Sequence, residues 1–255
     1  MEAWDIYYIY MNIRHEDKMI GDMPAYCVSV AEPGTYPGLI LIHEIWGLVP
    51  HIRNVADRLA EQGFAVVAPD LFYNLSLKEH VVEELFNDMQ NPEKRDETQK
   101  KMREFFAPIY QPEFAGRTTK LLKACGEYLL GQKNIHGSIG VIGFCFGGTY
   151  SFALAAEDNR IRASVPFYGH PPTREQIASV SCPVLAFYGE QDTRLTETLP
   201  QLKADMQEAG KQFEAHVYPN CGHAFFNDTN ARMYNQAAAE DAWGKTLSFL
   251  QSHLM

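Results

Sequence analysis

Apolar and polar positions alternate in two runs near the start of the chain. Residues 6–13 and 25–31 carry this alternation and are rich in Tyr, Ile and Val, and the polar stretch 15–18 separates them. A period of two residues is typical of half-buried strands. The pattern therefore predicts an opening pair of antiparallel strands with a turn at residues 15–18.

The hydrophobic pattern changes from Gly38 onward. Residues 38–42 form a continuous apolar run, as expected of a parallel strand that is covered on both faces. The next segment has apolar residues at helical spacing and ends at Gly63, and residues 64–68 read as another strand. The apolar residues of this predicted helix are Ile52, Val55, Ala56, Leu59 and Ala60. The order strand, helix, strand predicts a right-handed crossover unit.

The same alternation resumes in the second half of the chain. It predicts strands at 138–142, 161–168, 183–188 and 213–218. It also predicts a helix that begins at Gly147 and two further helices near 198–209 and 234–253. Repeated strand–helix alternation indicates an α/β fold with a mostly parallel central sheet and helices on both faces. Because no internal repeat or flexible linker interrupts the pattern, we expect residues 1–255 to form a single domain.

Residues 76–133 interrupt this alternation with helical segments. Two apolar helix faces are recognisable there: Val81, Val82, Leu85, Phe86 and Met89, and Leu121, Leu122, Cys125 and Tyr128. Between them lies the charged run 93–101, whose mixed signs favour a solvated surface over a binding patch. We expect this excursion to serve partly as a lid and partly as the helix that covers the sheet.

The composition narrows the classes of function. The 255 residues include 46% hydrophobic and 21% charged residues, as in an ordinary globular protein. The formal net charge is −10, and no Lys/Arg cluster suits phosphate binding, so no nucleic-acid partner is expected. No apolar run approaches the ~18 residues that a membrane span needs. The acidic residues 1–5 differ from the basic start of a secretory signal, so a cytoplasmic location is expected.

Cysteine usage excludes two structural roles. The five cysteines are odd in number and scattered, and no C-x-x-C pair occurs among them: Cys27, Cys125, Cys145, Cys182 and Cys221. Neither a disulfide framework nor a structural zinc site is therefore expected. Cys221 lies two residues before His223, but no companion ligands stand at zinc spacing, so we predict no metal site.

The most specific motif is the segment 143–148, Gly-Phe-Cys-Phe-Gly-Gly. It follows a predicted strand and opens a predicted helix, which is the G-x-[S/C]-x-G turn that exposes a nucleophile above the sheet. The helix N-terminus carries partial positive charge and favours the thiolate of Cys145. The alternative is a structural cysteine that packs like a small hydrophobic residue in a tight turn.

Two later loops supply the other groups that a cysteine nucleophile needs. Asp192 follows the strand 183–188, and His223 follows the strand 213–218. His223 can exchange a proton with Cys145, and Asp192 can orient the imidazole ring and stabilise its cation. The backbone N–H groups of Ile45 and Phe146 are candidates for the oxyanion hole, because each follows a strand end at the same edge of the sheet.

From Gly38 to its end, the chain resembles the dienelactone hydrolase family of the α/β-hydrolase superfamily. The resemblance depends on the segments 43–47 (HEIWG), 68–72 (APDLF), 143–148 (GFCFGG), 167–169 (FYG), 189–192 (GEQD) and 222–225 (GHAF). It implies an α/β-hydrolase fold and a Cys–His–Asp triad. It also implies that Glu44 contacts the resting cysteine and helps to deprotonate it when substrate binds, and that the protein is a monomer.

Two positions depart from the family pattern. The founding members bind the carboxylate of the substrate with two arginines, and the corresponding places here are Asn74 and Asn227. Because asparagine has neither the charge nor the fork of arginine, we expect weaker recognition of an anionic lactone. The other predicted pocket walls are aromatic and favour an apolar or aromatic substrate group: Trp46, Phe72, Tyr73, Phe146, Tyr150, Tyr168 and Phe225.

Three hypotheses follow for the function. The first is a hydrolase of carboxylic esters or lactones that forms a thioester on Cys145 and needs no metal or organic cofactor. The second is a ligand-binding or thiol redox-sensing protein on a hydrolase fold, although such a protein has no need of the proton relay through Asp192 and His223. The third keeps the enzyme and changes the bond to a thioester or an activated phosphoester.

Overall fold

The computed structural model describes residues 11–75 and 79–255 of the chain. The strands in this part are β1 (Ile13–Ile20), β2 (Met23–Val30), β3 (Tyr36–Ile42), β4 (Ala65–Pro69), β5 (Ile135–Phe144), β6 (Ile161–Phe167), β7 (Val184–Gly189) and β8 (Phe213–Tyr218). The helices are α1 (Pro50–Glu61), α2 (Glu79–Gln90), α3 (Arg95–Phe105), α4 (Pro112–Leu130), α5 (Phe146–Glu157), α6 (Arg174–Ser179), α7 (Thr193–Thr196), α8 (Leu199–Glu208) and α9 (Gln236–Leu254). A short 3₁₀ helix, Ala107–Tyr110, precedes α4.

The strands form one sheet in the order β1-β2-β4-β3-β5-β6-β7-β8. β1 and β2 pair antiparallel, and β2 pairs antiparallel with β4. From β4 to β8 all neighbouring strands are parallel. This arrangement confirms the predicted α/β fold with a mostly parallel sheet.

Helices cover both faces of the sheet, as two glycines in neighbouring strands show. A Cβ atom at Gly38 of β3 would meet Leu129 of α4, whereas a Cβ atom at Gly140 of β5 would meet Leu254 of α9. Gly38 pairs with Ile139, so Gly38 and Gly140 lie one position apart in register and point to opposite faces. The helices α4 and α9 therefore lie on opposite sides of the sheet.

The crossover around β3 follows the pattern in the sequence. Residues 39–42 of β3 are fully buried, and the apolar residues predicted for α1 lie in the core. Pro50 begins α1 at a position where its missing N–H has no helical partner to lose. Gly63 adopts a φ of +93°, which glycine tolerates better than other residues, and the chain then enters β4.

The opening hairpin is present, but its predicted register was wrong. The stretch 15–18 lies inside β1, and the turn falls at Gly21 and Asp22, between the paired residues Ile20 and Met23. β1 is an edge strand with mostly exposed side chains, so it lacks the alternation of a half-buried strand. Gly21 has a φ of +60°, as two-residue hairpin turns require. Residues 6–10 of the predicted first strand lie outside the described residues.

Residues 79–130 form the helices α2, α3 and α4. α4 packs on the sheet with buried side chains that include Leu122, Cys125 and Leu129. In α2, Leu85 is buried. The charged run 93–101 is mostly exposed and contains an ion pair of 2.9 Å between Lys101 and Glu97. Among the described residues, no helix is both long enough and apolar enough to cross a membrane.

Candidate active site

Cys145 lies in a sharp turn between β5 and α5. Its φ of 54° and ψ of −111° are unusual for a residue with a side chain, and its N–H donates to the carbonyl oxygen of Phe167 at 3.0 Å. A Cβ atom at Gly143 would clash with the backbone of Gly147, and one at Gly147 would clash with the carbonyl oxygen of Ile42. Glycine at both positions therefore allows the chain to reverse so tightly that the thiol stands at the start of α5.

The loops after β7 and β8 bring Asp192 and His223 to this turn. Asp192 is buried, and its Oδ2 lies 2.5 Å from Nδ1 of His223. Because a carboxylate accepts, Nδ1 carries the proton of this hydrogen bond. His223 lies close to Cys145: both residues line the same cavity, and the charge of Cys145 acts on the imidazole ring. The loops thus place the carboxylate, the imidazole and the thiol in the order Asp192, His223, Cys145.

Burial and neighbouring charges shift the pKa values of His223 and Asp192. Burial by itself lowers the pKa of His223, but the negative charge of Cys145 and the hydrogen bond to Asp192 outweigh it and raise that pKa to about 10. Burial raises the pKa of Asp192, but the bond to His223 outweighs it, so the pKa lies below its ordinary value. The arrangement therefore stabilises the imidazolium form of His223.

Glu44 is buried at the end of β3 and is held by two partners. The phenol of Tyr168 donates to its Oε1 at 3.2 Å, and the side-chain amide of Asn227 donates to its Oε2 at 2.6 Å. Burial and the charge of Glu44 keep the pKa of Tyr168 well above its ordinary value, so the phenol remains a donor. In the described part of the chain, no hydrogen bond joins Glu44 to Cys145. The role of Glu44 as an activator of Cys145 stays a prediction.

His43 fixes the loop that carries Glu44 and Ile45. Its Nε2 accepts from the N–H of Leu71 at 3.1 Å, so its Nδ1 carries the proton and donates to the carbonyl oxygen of Glu44 at 2.6 Å. Burial lowers the pKa of His43, which keeps the ring neutral. The carbonyl oxygen of His43 in turn accepts from the N–H of Gly147, so this loop is bonded to the nucleophile turn.

The backbone N–H groups of Ile45 and Phe146 are the predicted donors of the oxyanion hole. Both residues line the cavity that contains Cys145. Neither N–H donates to an acceptor within the described residues, whereas the neighbouring Gly47 and Gly147 N–H groups are both bonded. Two unpaired donors beside the thiol are what an oxyanion hole requires.

The cavity has a volume of about 700 Å³. Six of the predicted site residues line it: Ile45, Cys145, Phe146, Tyr150, Tyr168 and His223. The remaining lining residues come from the 3₁₀ helix, from α4, α5 and α6, and from the loop after β6: Ile109, Tyr110, Ala115, Gly116, Thr119, Lys120, Lys123, Thr149, Ala153, Glu157, His170 and Gln176.

Six predicted wall residues do not line the cavity. Trp46 packs edge-on against Phe86, Phe72 lies buried next to Phe106 and Phe114, and the ring of Tyr73 faces the Arg117 guanidinium at 4.8 Å. Asn74 is exposed, Phe225 is fully buried against Tyr168 and Tyr218, and Asn227 is buried on Glu44. Trp46 and Phe72 pack against aromatic side chains in and next to the helices α2, α3 and α4, whereas Phe225 packs against aromatic residues that end β6 and β8.

The walls that sequence reasoning missed come mainly from α4. Its cavity-facing residues recur with helical spacing on a second face, beside the apolar face that packs on the sheet: Ala115, Gly116, Thr119, Lys120 and Lys123. The small residues of that face were the signal in the sequence that could have predicted these walls, because small side chains leave space for a cavity along a helix. His170 and Gln176 follow β6 and gave no comparable signal.

The described residues contain no group of three or more His, Cys, Asp or Glu side chains arranged to hold a metal ion.

The parallel sheet, the turn that exposes Cys145 and the later loops with Asp192 and His223 define the α/β-hydrolase class. Within that class, residues 23–254 match the model of the Dienelactone hydrolase family, and the chain belongs to this family. The resemblance noted in the sequence is thereby confirmed.

Individual proteins show the same relationship. The Saccharolobus solfataricus protein named "Putative carboxymethylenebutenolidase" is 34% identical over 84% of this chain and 88% of its own length. "Protein usf" of Aquifex pyrophilus is 31% identical over 86% of this chain and 89% of its own length. The crystal structure of a dienelactone hydrolase from Anabaena variabilis superimposes with a TM-score of 0.67 at 16% identity, over 96% of this chain and 99% of that one. The structural match supports the fold.

Proposed function

We propose that this protein hydrolyses carboxylic esters or lactones through a thioester on Cys145. The observation that carries the proposal is the hydrogen bond between Asp192 and His223 next to Cys145, at a cavity of about 700 Å³. A cysteine that only packs in a turn needs neither a buried acid nor a histidine beside it, so the structural alternative leaves both unexplained.

In the first half of the reaction, the sulphur of Cys145 attacks the carbonyl carbon of the substrate. The carbonyl oxygen becomes an oxyanion and accepts hydrogen bonds from the N–H groups of Ile45 and Phe146. His223, which holds the proton in the resting pair, gives it to the departing alkoxide or enolate. The products of this half are an alcohol and an acyl thioester on Cys145. A lactone keeps its alcohol attached to the acyl group.

In the second half, water hydrolyses the thioester. His223, now neutral, takes a proton from the water, and the hydroxide attacks the same carbonyl carbon over the same oxyanion hole. The carbon–sulphur bond breaks, and the carboxylic acid leaves. The proton taken from water stays on His223, and the bonding electron pair returns to the sulphur of Cys145, which restores the resting pair. Asp192 keeps the ring orientation constant through both halves. No step requires a metal or an organic cofactor.

We further propose that the substrate is neutral at the positions that bind the carboxylate in the founding family members. Asn74 is exposed, and the amide of Asn227 is already bonded to Glu44. Neither residue supplies a free positive charge, so an anionic lactone gains no ion pair there. The relatives named carboxymethylenebutenolidase support lactones as one class of substrate, and the chemistry of the site extends to open-chain esters.

The proposal is tested with a small neutral aryl ester, 4-nitrophenyl acetate, near neutral pH. We expect turnover by the unmodified protein and a loss of at least 10³-fold in kcat for Cys145→Ala, because the residual rate then comes from binding and the oxyanion hole alone. Rapid quenching and intact-mass measurement should find one acetyl group on Cys145.

The matched control is Cys182→Ala, which removes a buried thiol that does not line the cavity. It should retain the activity and the acetyl adduct. Full esterase activity in Cys145→Ala would rule out the proposed nucleophile. An unmodified protein that binds the ester without turnover would favour the ligand-binding hypothesis instead.

A further inference from the structure

The cavity continues away from Cys145 as a groove along α5. α4 and α5 lie side by side and run in the same direction. At their beginnings, the rings of Phe114 and Phe146 lie 6.1 Å apart, and near their ends Nζ of Lys123 lies 3.4 Å from Oε2 of Glu157. Residues along this whole length line one continuous cavity.

The floor and the walls of the groove have distinct chemistry. Thr149, Tyr150 and Ala153 of α5 form the floor at helical spacing, and Ala115 and Gly116 of α4 form one wall. These side chains are small or aromatic, so an apolar group gains contact along the floor. The middle of the groove is thus an apolar channel that leads away from the thiol.

Charged side chains stand at the far end of this channel. Lys120 of α4 and the Lys123–Glu157 ion pair line the cavity there. From Phe146 to Ala153 the helix rises about 10 Å, at 1.5 Å for each residue. An extended chain advances about 1.2 Å for each bond, as the backbone does, so about eight bonds reach from the level of Cys145 to that of Ala153, the last apolar residue of the floor before the charges. A small ester would occupy only the part of the cavity beside Cys145.

We infer that the groove binds an extended apolar arm of the ester substrate, about eight bonds long, along α5. This inference rests on the proposed esterase function and specifies its substrate class: esters or lactones with a medium-length unbranched chain. The chain replaces water along Tyr150 and Ala153 and ends at Lys120 and Lys123, where longer chains gain no further apolar contact. The transition state is bound more tightly as the arm lengthens, up to that limit.

The first experiment measures kcat/KM for two series of esters. In one series the acyl chain of a 4-nitrophenyl ester grows from two to twelve carbons, and in the other the alcohol chain of an acetate ester grows in the same way. We expect one series to rise by about threefold for each added CH₂ and to level off near eight bonds, because each buried CH₂ contributes a nearly constant increment. A flat dependence in both series would overturn the inference.

The outcomes separate this inference from the proposed function. No turnover of any ester of either series by the unmodified protein would overturn the esterase function itself. Turnover of the acetyl ester with Cys145 dependence, but without a chain-length dependence in either series, would leave the esterase function standing and remove only the groove.

A substitution within the groove gives the second test. A Cβ atom at Gly116 meets nothing within 4 Å, so Gly116→Leu places its side chain in open space beside the floor. We expect the ratio of kcat/KM between the eight-carbon and acetyl esters to fall by at least tenfold. Gly244→Leu on α9 is the matched control, because its Cβ is equally unobstructed and lies outside the cavity, and it should keep the ratio.

Both variants are checked for folding by thermal unfolding. If Gly116→Leu does not fold, Ala153→Phe fills the same channel from the floor and carries the same expectation. A folded groove variant that keeps the full chain-length preference would contradict the inference, because the chain would then bind elsewhere.

Discussion

At the level of single residues, the chemistry of the site comes from the placement of ordinary side chains. Cys145 holds a left-handed φ of 54°, which a residue with a side chain adopts only when its surroundings compensate for about 1–3 kcal/mol of strain. The bond from its N–H to Phe167 and the glycines on both sides provide that compensation. The strained turn presents the sulphur at a helix N-terminus, where His223 can reach it.

The charge of Asp192 should set the pH range of activity. It is one of the groups that raise the pKa of His223 to about 10. In Asp192→Asn this charge is lost, the pKa of His223 falls, and the protonated form that the leaving group needs disappears at a lower pH. We expect the alkaline limb of kcat/KM to shift to lower pH, and kcat/KM at neutral pH to fall by roughly 10²- to 10⁴-fold.

The control for this prediction is Asp241→Asn, which breaks an ion pair with Lys245 on α9. Its pH profile should match that of the unmodified protein. An Asp192→Asn profile with the same alkaline limb would show that another group sets the proton affinity of His223.

Among the secondary-structure elements, one ionic contact connects α4, α5 and β6. Asp158 caps the end of α5, and its carboxylate accepts two hydrogen bonds from the Arg160 guanidinium, at 2.6 and 2.8 Å. The same guanidinium donates to the carbonyl oxygen of Lys123 on α4 at 3.2 Å. Because Asp158 is buried, the arginine has a partner that water does not replace, and the two helices bounding the groove are held together at that end.

Removal of this contact should give a stability loss that depends on pH. Burial raises the pKa of Asp158, but the bonds to Arg160 outweigh it and hold the pKa below 3.8. A carboxylate whose pKa is lowered by folding contributes to the free energy of unfolding. This contribution is fully present at a pH above the pKa of the unfolded chain, and it disappears as the pH falls through the pKa of the folded protein. The free energy of unfolding of Asp158→Asn should therefore be roughly 1–3 kcal/mol lower than that of the unmodified protein at pH 7, and the difference should vanish in strong acid.

Denaturant titrations of both proteins between pH 2 and pH 7 measure this difference. Asp205→Asn is a comparison variant, because its ion pair with Arg174 is more exposed and should contribute less. A difference between Asp158→Asn and the unmodified protein that stays constant down to the lowest pH would contradict the ionic origin of the effect.

In the whole molecule, Glu44 joins three segments that are far apart in the sequence. It ends β3, Tyr168 ends β6, and Asn227 belongs to the loop after β8, so one buried carboxyl group collects donors from 124 and 183 residues away. The loop of Glu44 also carries Ile45, and the loop of Asn227 also carries His223. The bonds of Glu44 therefore hold the loop of Ile45 and the loop of His223 in a fixed relative position.

Asn227→Ala should loosen this arrangement. The buried carboxyl group of Glu44 loses its 2.6 Å donor, which destabilises the fold by roughly 1–3 kcal/mol. Because the loops of Ile45 and His223 lose a shared contact, we also expect kcat/KM to fall. The fall should come mainly from kcat, and KM should change less. Thermal unfolding and steady-state kinetics measure the two effects, and the exposed Asn74→Ala is the control, which should change neither. An unchanged melting temperature in Asn227→Ala would show that water replaces the amide.

Local patterns in the sequence were sufficient for most of the fold. The strands from Gly38 onward and the helices α1, α5, α8 and α9 were predicted within a few residues, since burial on both faces leaves a clear apolar run in each parallel strand, whereas α3, α6 and α7 were not predicted. The hairpin was shifted because β1 is an exposed edge strand, in which side-chain alternation carries no signal. The candidate site was predictable where a motif ends a strand, as at Cys145, Asp192 and His223. The structure brings these three side chains together.

The sequence by itself determined the order of the elements and which residues stand at the strand ends, because periodicity and turn chemistry are local properties. Only the tertiary structure decided which aromatic side chains face the cavity and which partner each polar group takes. Trp46 and Phe72 pack against aromatic side chains of the helices α2 and α4, and Phe225 packs against Tyr168 at the end of β6, so each side chain takes a partner that is distant in sequence. Glu44 bonds Tyr168 and Asn227 because three distant strand ends converge on it, and convergence of this kind leaves no trace in the neighbouring residues of any one of them.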